Sequence, residues 1–268
     1  MRLALGLSYR GTAYKGWQSQ PGGGTVQDAL EAALGRFAAC EVRTVCAGRT
    51  DAGVHALNQV VHLDIDRERE NYSWVRGTNT FLPDDIAVQW CQRVPDHFHA
   101  RNGARGRRYA YLLLESPVRP ALESGQLGWT FRPLDGARLR AAANVLIGEH
   151  DYSAFRSSEC QALSPVKQLR EISIRRQGAV WRLEFEGSAF LHHMVRNIMG
   201  CLIMVASGRR ESAWLADVLA SRDRKLAAPT FMPDGLHFLG PRYDAEWALP
   251  ERTPPFDALP ADTAVLAF

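Results

Sequence analysis

The chain has 268 residues, 46 % of them hydrophobic, with a formal net charge of +3. That is enough apolar content for a sizeable core, in one large domain or two of ordinary size, and the small net charge leaves any polyanionic partner to be argued from local charge. No window reaches the roughly 18 uninterrupted apolar residues of a membrane helix, and five scattered cysteines without a C-x-x-C pair argue against a disulfide framework and a zinc ribbon.

The opening apolar run ends at Ser8, Tyr9 and Arg10, too soon for a secretory signal core, so a soluble chain in a reducing cytoplasm is expected. Leu3, Leu5, Leu7 and Tyr9 alternate with smaller residues and predict a strand, followed by a loop, RGTAYKGWQSQPGGG. Thr25 and Asp28 form a capping pair ahead of Val26, Ala29, Leu30, Ala33, Leu34 and Phe37, which repeat at helical spacing. Strands are expected over 42–47 and 59–66, the second with Val61, Leu63 and Ile65 inward and His62, Asp64 and Asp66 on a solvated face. A short helix near Ser73–Thr80 and a strand near Ile86–Val94 complete a first α+β unit.

From Arg93 to Arg108 the chain carries Arg93, Arg101, Arg105, Arg107 and Arg108 against one acid, Asp96, and this stretch reads as the junction. A second unit follows, with a strand at 107–114, a helix at 135–147 started by Asp135, and a hairpin in which Ile172 and Ile174 answer Trp181, Leu183 and Phe185. Residues 190–207 are apolar nearly all round, as in a buried helix, except that His192, His193, Arg196, Asn197 and Gly200 fall on one stripe. The Pro-rich stretch after Trp247 reads as irregular. The expected organisation is a first half over 1–104, a second over 105–247 and an irregular tail over 248–268.

Chemistry concentrates in AGRTDAGVHA, residues 47–56. Asp51 reads either as a turn former bonding its own backbone or as a carboxylate kept ionised by a nearby guanidinium, Arg49. His55 reads as a structural hydrogen-bonder: with Asp51 it supplies only two metal ligands, and Gly53 disfavours the helix that would align them. In GRRYAYLLLE (106–115), Tyr109 and Tyr111 share a strand face, so both can fill a core; Tyr109, beside the arginines, can instead stack on an extruded base. No phosphate-binding glycine loop or G-x-S-x-G elbow is present, which leaves one carboxylate, arginines and aromatics.

Four segments in order, YRGTAYKGWQSQ (9–20), AGRTDAGVHA (47–56), RRYAYLL (107–113) and FLHHMVRNIMG (190–200), resemble the bacterial tRNA pseudouridine synthases that modify positions 38 to 40 of the anticodon arm. The resemblance runs to about Tyr243. It implies an α+β fold of two similar halves, each a mainly antiparallel sheet with helices on one face, around a central basic cleft. It also implies a homodimer acting on tRNA with no metal or organic cofactor. Carried over by residue, Asp51 is the catalytic carboxylate, Tyr109 packs on the target uracil, Arg49 holds RNA or the extruded nucleotide, Arg196 pairs with the carboxylate, and Leu236 lines the uracil pocket. Arg101, Arg105, Arg107 and Arg108 are expected to meet phosphates. The sequence departs from the family at Leu57-Asn58-Gln59, where Gly is expected before Gln, and in the tail. A pseudouridine synthase acting elsewhere on tRNA and a noncatalytic RNA-binding module are the rival readings.

Overall fold

Leu3, Leu5 and Leu7 are fully buried on strand β1 (Arg2–Tyr9) in the computed structural model, which describes residues 1–252. β1 lies between β3 (His55–Asp64) and β4 (Ile86–Val94), antiparallel to both, and the short β2 (Val45–Cys46) pairs with β3. β10 (Leu236–Arg242) runs parallel beside β3, with His237 opposite His55 and Phe238 opposite Ala56. Helix α1 (Val26–Ala38) starts at the expected capping box: the Thr25 hydroxyl accepts from Asp28 N–H, and the Asp28 carboxylate accepts from Thr25 N–H. Its Phe37 packs edge-on against Trp74 of α2 (Asn71–Asn79), the ring centres 5.3 Å apart.

β3 is buried on both faces from His55 to Leu63, which corrects the expected solvated position of His62, whereas Asp64 and Asp66 are exposed as expected. Phe98, Ala100 and the partly buried Tyr243 and Trp247 form a second layer against Ala4 and Val60, so that His62 is 5 % exposed. Asp64 stays at the surface, paired with Arg2 at 2.7 Å. β3 also begins at His55, four residues before its expected start, because the Tyr9–Ala56 pairing and β10 extend the ladder.

These elements form one compact unit, Met1–Arg107 together with the chain that returns at His237. Arg108–Leu236 form the other. Its strands follow the order β5 (Gly106–Glu115), β9 (Val180–Gly187), β8 (Val166–Gln177), β7 (Gly148–Asp151), with β6 (Gly128–Thr130) parallel on β5. The hairpin has the expected partners, Ile172 opposite Phe185 and Ile174 opposite Leu183. Helices α3 (Gly136–Val145), α4 (Met194–Ala206) and α5 (Ser212–Ser221) complete the unit, α3 capped by the Asp135 carboxylate. α4 starts four residues later than the pattern predicts. His193 adopts φ 63° at the N-cap, so His192 and His193 lie ahead of the helix rather than on its stripe. No helix among the described residues is long and apolar enough to cross a membrane. From residue 253 onward the expected irregular tail lies outside the described residues.

Candidate active site

The Asp51 loop is held chiefly by main chain. Asp51 O accepts from Val54 N–H at 3.1 Å, closing a turn in which Gly53 takes φ 80°, the left-handed value that an L side chain resists. Two residues of the loop at 10–24 then dock on it: Trp17 N–H donates to Thr50 O at 3.0 Å and Gly53 N–H donates to Tyr14 O at 3.3 Å. Gly16, at φ 92°, allows that approach, since a Cβ there would sit 2.7 Å from Thr50 O. One side-chain bond reinforces the seam, Tyr9 Oη to Thr50 Oγ1 at 2.8 Å, in a setting whose burial pushes the Tyr9 phenol pKa up. Asp51 is thereby presented half-buried and Arg49 exposed, two residues apart on the same loop.

Gln59, a residue that motif reading passes over, closes the loop from below. Its buried side chain both donates to Gly48 O and accepts from Gly48 N–H, substituting for a strand partner. The family departure at Asn58 is accommodated within the same unit, where Asn58 Oδ1 accepts from Trp90 Nε1 at 3.2 Å. His55 Nδ1 accepts from Gly11 N–H at 3.1 Å and its ring stacks on His237, so the residue serves the structure as a hydrogen-bonding core histidine.

The basic junction has mixed engagements. Arg107 points its guanidinium at the carbonyls of Ala47 (3.0 Å) and Arg101 (2.7 Å), tying the first residue of the Asp51 motif to the junction. Arg105 pairs with Asp244 at 2.8 Å while remaining largely exposed, Arg101 is exposed, and Arg108 is half-buried.

In the second unit Tyr109, Ala110 and Tyr111 are all buried on β5, so the simple alternation of faces does not hold there. Tyr109 meets Phe190 edge-on at 5.1 Å. Tyr111 donates to Met232 O at 2.8 Å; burial raises its pKa well above the usual range, Asp234 adds to the rise and Arg196 opposes it, so the phenol is a neutral donor. Leu112 N–H donates to Gly235 O, which fixes the turn leading to the buried Leu236.

Arg196, one turn into α4, donates through Nε to Phe231 O at 2.9 Å, and Phe231 N–H returns a bond to Arg196 O at 3.2 Å. The same extended segment runs along the helix: Thr230 Oγ1 donates to Asn197 Oδ1 at 2.7 Å, a Cβ on Gly200 would lie 2.3 Å from Pro229 O, and Ala228 N–H donates to Cys201 Sγ at 3.3 Å. The polar stripe read from the sequence is thus, at Asn197 and Gly200, the track on which residues 228–231 lie. Only Arg196 on that track carries a charge.

The sequence model of a family described as tRNA pseudouridine synthase matches residues 7–101 and 142–244. A protein named "tRNA pseudouridine synthase A" from Methylibium petroleiphilum is 73 % identical over 97 % of this chain and 100 % of its own length. Proteins of the same name from Paracidovorax citrulli and Albidiferax ferrireducens are 60 % and 61 % identical over the same shares. A solved H/ACA ribonucleoprotein bound to substrate RNA aligns at 12 % identity over 75 % of this chain and 44 % of that chain, with a TM-score of 0.34. Through the family match and the full-length relatives, the chain belongs to the tRNA pseudouridine synthase family.

Proposed function

We propose that the protein isomerises uridine to pseudouridine at positions 38 to 40 of the tRNA anticodon arm, with Asp51 as its catalytic carboxylate. The observation that carries this reading is the Asp51 loop, in which main-chain bonds fix the residues on either side of the carboxylate while leaving it half-buried. Such a carboxylate is preorganised without being sealed off.

The reaction breaks the bond from N1 to C1′, turns the uracil, and joins C5 to C1′; overall one proton leaves C5 and one arrives at N1. Product and substrate have the same atoms, so no co-substrate or redox cofactor enters the balance. Asp51 acts either as a nucleophile on the nucleotide or as the base that takes a sugar proton. Tyr109 provides an aromatic face for the uracil, Leu236 an apolar wall, and Arg49 and Arg196 bind anionic groups of the nucleotide or the carboxylate. Arg101, Arg105, Arg107 and Arg108 contribute to phosphate binding, which gives tRNA affinity a salt dependence. The enzyme acts in the cytoplasm as a homodimer; light scattering that finds a monomer at assay concentration would remove the dimer.

Tritium release from C5-labelled uridine in unmodified tRNA, followed by mapping of the modified positions, tests the reading. Asp51→Asn is expected to lose roughly a thousandfold or more in kcat while tRNA affinity stays within about threefold. Pseudouridine made at the normal rate by the pure variant would refute the assignment. Modification mapped elsewhere in tRNA would favour the rival specificity, and no release by the unaltered protein would favour a binding module.

A further inference from the structure

We infer that Arg224 is a positioning residue for catalysis, acting through Arg196 by clamping the segment that holds the Arg196 guanidinium. The inference rests on the proposed role of Arg196.

Arg196 stands on a long, flexible side chain, and its Nε donates to Phe231 O. With that edge of the planar fork committed, a carboxylate or phosphate is taken by the terminal nitrogens, in a direction set by where Phe231 O lies. Phe231 is not in a regular element. Its place depends on what holds residues 227–230.

Arg224 does this from the far end. Its Nη1 donates to Ala228 O at 2.9 Å and Ala227 O at 3.5 Å, and its Nη2 donates to Asn197 Oδ1 and Thr230 Oγ1, both at 3.1 Å. Asn197, 1 % exposed and next to Arg196 in sequence, is the other jaw: Oδ1 accepts from Arg224 and Thr230 while Nδ2 donates to Phe155 O at 2.8 Å. Two donors on one side and a carbonyl on the other permit only this amide orientation. One guanidinium thus bonds two carbonyls, a hydroxyl and an amide at once; a lysine ammonium has three donors and no fork to match them. The clamp holds Thr230 directly before Phe231, and through Phe231 it holds Arg196.

Substitution distinguishes this from a merely structural role. Arg224→Ala is expected to lower kcat about tenfold to a hundredfold, the effect of a small misplacement of a catalytic-site group, with KM for tRNA within about twofold. Arg224→Lys should rescue little. In an Arg196→Lys background, which lacks Nε, the added Arg224→Ala change should cost less than about threefold, because the group it positions is gone. Thr230→Val, equal in shape, should lower kcat in the same sense by less, and it carries both readouts if Arg224→Ala fails to fold by circular dichroism. Undisturbed kcat in the folded Arg224 variants, or equal losses in the two backgrounds, would overturn the clamp. Full activity in Arg196→Ala would instead remove the role of Arg196, a separate failure.

Discussion

The Asp51 loop and the start of α4 each present a charged side chain, but they hold it by opposite means. Around Asp51 the bonds run chiefly from main chain to main chain, through Thr50 O, Tyr14 O and Asp51 O, and they require the absence of side chains at Gly16 and Gly53. Around Arg196 the bonds pass through side chains, from Arg224 to Asn197 and Thr230. The first device fixes a short contiguous segment to the smallest tolerance and fails when atoms are added. The second joins segments distant in sequence and fails when atoms are removed.

Addition at Gly16 is the largest test of that contrast. Gly16→Ala places a Cβ 2.7 Å from a backbone oxygen that cannot swing away, at a φ of 92° already costly for alanine. A loss of about 2 kcal/mol or more in urea unfolding is expected, with kcat in tritium release down about a hundredfold as Thr50 and Asp51 shift. Removal in the same loop should matter less. Thr50→Val deletes the buried bond to Tyr9 and leaves that phenol with one partner fewer, for about 1 to 2 kcal/mol of stability, but the Thr50 carbonyl keeps its bond to Trp17 and kcat should fall less than about tenfold. Should Thr50→Val cost more activity than Gly16→Ala, side chains rather than main chain hold the loop, and the contrast is wrong.

The same difference decides what the sequence makes legible. The capping box at Thr25, the hairpin at Gly178 and β4 depend on residues a few positions apart, and pattern reading finds them. AGRTDAGVHA stands out because its glycines, Asp and Arg lie together in ten positions. The clamp does not, because Phe155, Asn197, Arg224 and Thr230 acquire their relation only when α4 and the 227–231 segment are brought side by side. The pattern names no helix over Ser212–Ser221, whose N-cap Glu211 makes no side-chain capping bond. Nor does it place the start of α4, since nothing local to His193 announces a left-handed residue. On β3, alternation puts His62 on a polar face; burial comes from Phe98, which lies 36 residues on.

His62 extends the comparison to pH and gives its smallest effect. At both ends of β3 a histidine accepts a main-chain N–H through Nδ1, His55 from Gly11 and His62 from Ala100, each at 3.1 Å, so both bonds need an unprotonated nitrogen. Burial, then the charges of Arg2 and His99, pushes His62 down to about 4, with Asp64 opposing. The unfolded chain, near the ordinary value of about 6.5, therefore binds the proton first. Stability should be full above that value and fall as pH drops from about 6.5 towards 4, by at most about 1.4 kcal/mol per pH unit for one proton. His62→Asn keeps an acceptor near the Nδ1 position and removes the titration, although it also loses ring packing against Phe98 and His99. The comparison is therefore between slopes: urea unfolding from pH 7.5 to 5 should show a shallower decline for the variant, with kcat at neutral pH within about twofold because His62 lies outside the Asp51 loop. Parallel pH profiles would mean that protonation of His62 does not break its bond to Ala100, and the main-chain mode of support would then be confined to the loop itself.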